Sequence, residues 1–232
     1  MVIFRKVVPI LLLAVVAAGC SGGQSASFRT QDGFELGARM LGDASTGVVL
    51  AHHSSEPTDR NGLLSGGMWH GFERDLAKDH RVLVVDLRGQ GDSEGTMDPL
   101  RLSRDIAAAV NFLQRQGSRK VTVIGSQVAG AAALQAAASG DLLGVVTLSV
   151  TDEGGLDPLS DVAQAQTNLF FAASVDHQET AQFAKELLSA SLAPDSGFHL
   201  ASGNSLGPDL LDGRSGDRLR DDIKAWIVKV MA

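Results

Sequence analysis

The sequence predicts an α/β fold in which a mostly parallel sheet is covered by helices on both faces. Short apolar runs rich in β-branched residues alternate along the chain with longer segments whose apolar residues recur every three or four positions. Strands of a parallel sheet are buried on both faces and therefore read as continuous apolar runs, whereas surface helices show the wider spacing. The 232 residues, 44% of them hydrophobic and 20% charged, suit one globular domain.

The predicted elements follow one another with short connections. The first two strands form a hairpin turned at Asp32-Gly33, a dipeptide typical of tight turns. Only about 17 residues separate the strand that ends near Val150 from the next one, which is too short for a lid domain, so we expect an open cleft. The predicted strands are residues 28–30, 34–41, 47–52, 81–86, 121–124, 143–150, 168–174 and 198–201, and the predicted helices are residues 68–79, 102–116, 177–192 and 214–230, with an alanine-rich helix after Gln127.

The amino terminus has the pattern of an export signal. Arg5 and Lys6 precede an apolar stretch of about 12 residues, which is too short to span a bilayer comfortably. The stretch ends in Ala-Ala-Gly before Cys20, which resembles a bacterial lipobox and implies cleavage before an acylated Cys20. Residues 1–19 are thus a predicted lipoprotein signal peptide and residues 20–27 a flexible tether to the folded domain, residues 28–232. The alternative is an ordinary secretory signal with a chance cysteine.

The composition restricts the partners of the exported protein. Cys20 is the only cysteine, so the chain has no internal disulfide and no further thiol nucleophile. Removal of Arg5 and Lys6 from the 20 basic residues leaves 18 against 27 acidic ones, a net charge of about −9. This balance argues against nucleic acid and against anionic lipid as partners. We therefore expect a domain held in the cell envelope by its lipid, with no cofactor. Ser21 is compatible with sorting to an outer membrane.

One segment has the pattern of a nucleophile elbow. An apolar strand, residues 121–124, runs into Gly125-Ser126-Gln127 and then into the alanine-rich helix. In the Gly-x-Ser-x-Gly form of this device, the middle residue sits on a strained turn and its side chain enters the active site. That middle residue is Gln127 in this chain. A carboxamide cannot attack an acyl group, so the segment predicts the scaffold of a hydrolase without its nucleophile.

Three blocks together resemble the α/β-hydrolase superfamily, most closely its small lidless members and the serine-aminopeptidase-like branch. They are residues 48–52, which resemble the strand ending in His-Gly, residues 82–93, which resemble the strand and its Asp-x-Arg-Gly-x-Gly-x-Ser loop, and the elbow segment. The resemblance extends over residues 28–232. It implies an α/β-hydrolase sheet with helices on both faces and no cap domain.

The resemblance also implies where catalytic groups would stand. An active member needs a serine, a histidine, an acid that orients the histidine, and two backbone N–H groups for the oxyanion. The nucleophile position is Gln127 and the histidine position is Leu206, whereas the acid position keeps Asp176. The oxyanion groups correspond to the N–H of His53, where a glycine is expected, and of Val128. With no histidine to orient, we interpret Asp176 as a loop residue that caps the following helix.

Two serines are alternative nucleophiles. Ser126 adjoins the apex but stands one step from it, so the elbow geometry does not aim it into the site. Ser93 lies in residues 91–95, which match Gly-x-Ser-x-Gly letter for letter. However, the preceding strand ends at Asp86 and no helix follows directly, so we interpret Ser93 as a structural loop residue. Ala129 replaces a further family glycine, which predicts a looser approach of strand and helix.

Histidines elsewhere offer alternative bases or metal ligands. His177 adjoins the acid position, and His199 lies within a strand, where we expect a packed or edge residue. His52 and His53 suggest a metal site, but adjacent strand residues point to opposite faces and no further ligand lies at suitable spacing. No metal site is predicted.

The predicted function follows from the replacement of both the nucleophile, by Gln127, and the histidine, by Leu206. Loss of the attacking group and the base together removes the chemistry, because triad members act as a unit. We therefore expect a catalytically inactive, lipid-anchored protein whose former active-site cleft binds a small-molecule or protein ligand. The alternative is an active serine hydrolase, an esterase or peptidase, that uses Ser126 or Ser93. A purely structural lipoprotein is a third interpretation.

Overall fold

A computed structural model describes residues 23–52, 67–139 and 142–232. The predicted signal peptide, Cys20 and His53 lie outside these ranges. Eight strands and six helices make up the described fold. The strands are β1 Gln24–Arg29, β2 Glu35–Leu41, β3 Thr46–His52, β4 Arg81–Asp86, β5 Lys120–Ser126, β6 Gly144–Leu148, β7 Asn168–Ser174 and β8 Ser196–Ala201, and the helices are α1 Phe72–Leu76, α2 Leu102–Arg115, α3 Val128–Ser139, α4 Pro158–Gln164, α5 Gln178–Ala190 and α6 Gly213–Met231.

The strands form one mixed sheet in the order β1-β2-β4-β3-β5-β6-β7-β8. Strands β3 to β8 are mutually parallel where they pair, while β1 and β2 run antiparallel to their neighbours. One core joins a face of the sheet to helices α2, α3, α4 and α5, and a second core joins the other face to α1 and α6. The predicted α/β-hydrolase sheet with helices on both faces is therefore confirmed.

The alternation of side chains across the sheet explains why the parallel strands read as apolar runs. In β3, Val49 and Ala51 belong to the first core, and Val48 and Leu50 belong to the second. All four side chains are fully buried. A strand that packs against helices on both faces needs apolar residues at every position, which the sequence supplies.

Two boundaries and one missed helix are the largest differences from the sequence prediction. The predicted tether, residues 20–27, overlaps β1 at residues 24–27, because β1 continues its ladder with β2 as far as Gln24 opposite Met40. The predicted helix 68–79 is reduced to α1, because His70 and Gly71 both have positive φ (50° and 82°), which a helix cannot accommodate. The short helix α4 begins at Pro158 behind Asp157, whose carboxylate accepts a bond from the Ser160 N–H. A Pro after an Asp is a helix-start signal that the sequence analysis missed.

No cap domain interrupts the described part of the sheet. Between β6 and β7 the chain forms only a short 3₁₀ turn, residues 153–155, and α4. In the part of the chain that the structure describes, no domain covers the carboxyl ends of the parallel strands, which agrees with the predicted absence of a cap domain. Among the described residues, none of the helices combines the length and apolarity needed to cross a bilayer.

Candidate functional site

Gln127 forms a strained turn between β5 and α3. Its φ is 50°, in the left-handed region that non-glycine residues seldom occupy. The turn is fixed by backbone bonds: the Gln127 N–H donates to Leu148 O at 3.0 Å, and the Gly130 N–H donates to Gln127 O at 2.9 Å. Such a conformation costs about 1–3 kcal/mol and persists where the surrounding structure enforces it.

Two glycines allow strand and helix to meet closely beside this turn. A Cβ at Gly125 would lie 2.7 Å from Ala129 O, and a Cβ at Gly130 would lie 3.0 Å from Gly125 O. Ala129 itself is fully buried. The looser approach predicted from Ala129 is therefore wrong, because Gly125 and Gly130 provide the close contact.

Two cavities meet at Gln127 and Leu206, which line both of them. The first, of ≈ 500 Å³, lies against α5, and the second, of ≈ 510 Å³, lies over His52 and Pro208. Leu206 immediately precedes the 3₁₀ turn 207–211, and a Cβ at Gly207 would lie 3.3 Å from Gln127 Oε1. The segment that carries Leu206 is thus packed against the elbow, although nothing in sequence spacing required it.

Among the described residues, no histidine pairs with the Asp176 carboxyl group. Asp176 is exposed in the turn after β7, and its N–H donates to Gly203 O at 3.1 Å. The N-cap of α5 is His177, which makes no side-chain capping bond. The interpretation of Asp176 as a helix cap is therefore wrong. His177 Nδ1 contacts Thr180 Oγ1 at 3.1 Å, and His177 lines the first cavity.

The structure brings together Ser126 and His52, a contact that the sequence analysis missed. Ser126 Oγ lies 2.5 Å from His52 Nδ1. The Ser126 side chain is fully buried beneath the elbow, whereas His52 lines the second cavity. Because β3 and β5 are neighbours in register, with Ala51 opposite Gly125, the next residue of each strand stands side by side. The register was the only signal, and a single sequence does not reveal it.

Asp86 lies on the other side of His52, with which it pairs in the β3–β4 ladder. Ser126, His52 and Asp86 thus form a row across three neighbouring strands. Its side chain is fully buried, its Oδ2 accepts a bond from the Asp92 N–H at 3.3 Å, and its Oδ1 has no partner among the described residues. Burial raises the pKa of Asp86 to about 6, which the Asp92 N–H opposes and the Asp92 carboxyl reinforces.

Ser93 and His199, the remaining candidates from the sequence, bond to neighbouring parts of the fold. Ser93 Oγ donates to Asp86 O at 2.6 Å and accepts from the Gly37 N–H at 2.9 Å, so it ties the loop to β2, as predicted for a loop residue. His199 lies on the edge strand β8, where Nδ1 contacts Asp222 Oδ2 at 2.7 Å. Within the described ranges, no three His, Cys, Asp or Glu side chains are grouped so that they could hold a metal ion.

The first cavity is acidic at its rim. Its described lining contains four carboxylates and no Lys or Arg, and its apolar wall includes Val150, Phe183 and Leu206. Such a field disfavours anionic ligands. The four carboxylates belong to Asp152, Glu153, Glu179 and Glu186.

Comparison with known proteins extends over almost the whole chain. A sequence profile described as the alpha/beta hydrolase family matches residues 15–229. No curated protein sequence matches the chain. An esterase from Thermogutta terrifontis, solved with malate bound, is 17% identical with a TM-score of 0.68, and the match covers 90% of this chain and 100% of that chain.

Two further solved structures have the same fold. The enol-lactonase from Burkholderia xenovorans LB400 is 14% identical with a TM-score of 0.68, and the match covers 88% of this chain and 100% of that chain. An esterase from Pyrococcus furiosus is 14% identical with a TM-score of 0.69, covering 88% and 90%. At these identities the likeness shows the fold alone.

Proposed function

The chain belongs to the α/β-hydrolase family, and from this premise we propose that it is a lipid-anchored envelope protein that binds a ligand at the former active site without hydrolysing it. The observation that carries the proposal is Gln127 in the apex conformation, with φ 50° between β5 and α3. An apex of this geometry directs its side chain toward the two cavities, where an active relative needs a nucleophile. A carboxamide has no such reactivity.

The residue at the family's histidine position supports the same proposal. Leu206, not a histidine, lines both cavities next to Gln127. Asp176, the acid position, is exposed, and no histidine of the described ranges pairs with it. A triad that lacks both nucleophile and base loses nearly all of its rate enhancement, because the members act as a unit.

Gln127 is suited to hold a ligand. Its carboxamide offers two donors and one acceptor at the junction of the cavities, and Leu206 adds apolar surface beside it. A neutral or cationic ligand with an amide, ester or hydroxyl group could bond the carboxamide while its apolar part packs against Phe183.

The test is direct binding by the full-length protein and by two matched variants. A library of uncharged and cationic amides, esters and sugars is screened by ligand-observed NMR, and hits are titrated. We expect Gln127→Ala to weaken binding roughly fivefold to tenfold, the effect of one hydrogen bond, and Gln164→Ala on exposed α4 to leave it unchanged. Equal affinities in Gln127→Ala and the parent protein would refute the assigned role of Gln127.

A second candidate function is hydrolysis by a displaced Ser126–His52 pair. The observation in its favour is the 2.5 Å contact, which gives His52 Nδ1 the position of a base for the Ser126 hydroxyl proton. Against it, Ser126 is fully buried and would have to become exposed before its Oγ could attack an ester carbonyl. A fluorophosphonate probe separates the candidates: stoichiometric labelling that Ser126→Ala abolishes would establish the hydrolase, and absence of labelling supports the binding protein.

The anchor is tested independently of the cleft. We expect the mature protein to carry a fatty acid on Cys20 at its new amino terminus, which intact-mass measurement and incorporation of an alkynyl fatty acid detect. A Cys20→Ser variant should lose the label. Retention of the label by that variant, or a mature mass without acyl chains, would contradict the anchor and leave the cleft proposal untouched.

A further inference from the structure

A cavity of ≈ 460 Å³ near the amino ends of the parallel strands is lined by cations. Gln127 lies at the carboxyl ends of these strands. Arg74, Lys78 and Arg81 surround the cavity, and Asp43 is the only carboxyl side chain in its described lining. The chain as a whole carries a formal charge of −7. The cavity is therefore a local positive surface on an acidic protein, which the net charge used in the sequence analysis could not reveal.

The strand registers fix the place of this cavity. Gln24 at the start of β1 pairs with Met40 near the end of β2, and Leu41 pairs with Val82 near the start of β4. These residues adjoin the amino ends of the parallel strands. Gln127 follows the carboxyl end of β5, whose seven residues span about 20 Å at 3.3 Å each. The cation-lined cavity and the cleft thus lie on opposite sides of the domain.

The chain leading to the predicted anchor enters at the cavity itself. Gly23 lines the cavity, and its Cα is only three Cα–Cα steps along the chain from that of Cys20. Three such steps span at most about 11 Å. The polar headgroup layer of one leaflet is roughly 5–8 Å thick. An acylated Cys20 would consequently hold the cavity at the level of the phospholipid headgroups.

The cations are held in different ways. The Arg81 guanidinium donates to the backbone carbonyls of Asp43 and Gln116, so it is positioned without being neutralised. Lys78 Nζ lies 2.9 Å from Asp75 Oδ1, and Arg74 Nε lies 3.2 Å from Glu73 Oε1.

Two of the three cations therefore share their charge with a carboxylate. Their side chains are nevertheless 72% (Lys78) and 63% (Arg74) exposed, so both can turn toward an added phosphate. Lys78 and Asp75 form an exposed ion pair, which contributes little on its own. The Glu73 carboxylate is fully buried, but its Oε1 also lies 3.7 Å from Arg39 Nη2, so Arg74 is not its only cationic partner.

We propose that the domain stands on the bilayer with Arg74, Lys78 and Arg81 against phospholipid phosphate groups, so that the Gln127 cleft faces away from the membrane. This inference rests on the lipid anchor proposed above. Guanidinium and ammonium groups form charge-assisted bonds with phosphate, and basic residues next to an anchor strengthen attachment to an anionic leaflet. A ligand would then reach the cleft from the side away from the bilayer.

Orientation is measured with matched labels on the acylated protein in lipid nanodiscs. Because Cys20 is the only cysteine and is blocked by its lipid, Gln116→Cys at the cavity and Gln182→Cys at the cleft can each be labelled selectively with a fluorophore. Both replace an exposed, neutral glutamine. With a quencher attached to lipid headgroups, we expect the label at position 116 to be quenched severalfold more than the label at position 182. Equal or reversed quenching would overturn the orientation.

Headgroup binding is tested by removing positively charged side chains from the cavity. Each basic residue near an anionic surface contributes about 1 kcal/mol, a factor of about five, so Arg74→Gln/Lys78→Gln should lower the ratio of docked to undocked protein between roughly fivefold and 25-fold with phosphatidylglycerol. Lys185→Gln/Arg218→Gln, which removes the same charge from exposed positions elsewhere, should have no effect. If quenching at position 116 is the same with and without phosphatidylglycerol, and the same in the parent protein and the Arg74/Lys78 double variant, the headgroup contact is overturned.

The outcomes separate this inference from the proposed function. If the protein is acylated but the labels at positions 116 and 182 are quenched equally, only the orientation is refuted. The anchor and the cleft proposals would stand. Protein without an acyl chain on Cys20 would refute the anchor and, with it, this orientation. Ligand binding at Gln127 is measured in a separate experiment and depends on neither result.

Discussion

The buried carboxyl of Asp86 makes the stability of the domain depend on pH in a predictable direction. Burial raises its pKa from the ordinary 3.8 to about 6. Between these values the folded protein keeps a proton that the unfolded chain has released. Stability therefore falls as the pH rises from about 4 to about 6, and it stays lower above that range.

The magnitude follows from the size of the shift. A pKa raised from 3.8 to about 6, at about 1.36 kcal/mol for each pH unit, corresponds to about 3 kcal/mol between the low-pH and high-pH limits. Roughly 2 kcal/mol of this change falls between about pH 4.5 and 7.5. Asp86→Asn keeps the shape of the side chain but cannot titrate, so its stability relative to the parent protein should rise by that amount over the same interval.

Urea unfolding at several pH values measures the difference directly. Asp161, whose pKa burial also raises to about 6, is present in both proteins and cancels from the comparison. Thr122→Val, which replaces a buried hydroxyl without a partner among the described residues, is a control whose effect should not vary with pH. A difference between Asp86→Asn and the parent protein that is constant from about pH 4.5 to 7.5 would refute the reasoning.

Three further predictions concern packing, ion pairing and chemistry. Gly91→Ala should destabilise by about 3 kcal/mol in urea unfolding, because its φ is 50° and a Cβ would lie 2.1 Å from Asp86 Oδ2. Arg88→Lys should cost about 2–4 kcal/mol, because lysine cannot reproduce the paired bonds of the buried guanidinium to Asp105. Gln127→Ser/Leu206→His should gain hydrolysis of p-nitrophenyl acetate that neither single variant shows, since nucleophile and base act together.

Each of these predictions has a matched control and a contradicting result. Gly33→Ala, also at positive φ but with open space around the added Cβ, should cost only about 1 kcal/mol, and an equal loss at both glycines would disprove the steric argument. Arg104→Gln removes a half-exposed cation 3.6 Å from Asp32 and should change stability by less than about 1 kcal/mol; a loss as large as that of Arg88→Lys would contradict the importance of burial. Hydrolysis by Gln127→Ser alone would mean that another base serves the elbow.

Much of the fold could be predicted from the sequence because its signals are local. Strands β4 and β7 occur at the predicted residues, since their apolar runs are bounded by charged or turn-forming residues. The start of β1 could not be predicted, because Gln24 and Ser25 are polar and exposed and are in a strand only through pairing with β2. The start of α1 likewise depends on the left-handed conformation at His70, which no residue preference announces.

The candidate site likewise contains one residue that the sequence locates and others that only the structure brings together. Gln127 could be located from the strand, turn and helix pattern, all of which lies within a few residues of it. Ser126 and His52 are separated by 74 residues, and only the parallel register of β3 and β5 brings them within 2.5 Å. The burial of Ser126, which weighs against its use as a nucleophile, depends in turn on the segment at Gly207 that packs over the elbow.

The sequence by itself determined the class of fold and the position of Gln127 at the turn between β5 and α3, because both are written in residue identity and local periodicity. Only the tertiary structure decided which side chains share the row at the strand ends and which end of the sheet Gly23 adjoins. The physical reason is that periodicity reports the burial of a strand but not its neighbours. Strand order and register are set by packing of the complete sheet between its two layers of helices.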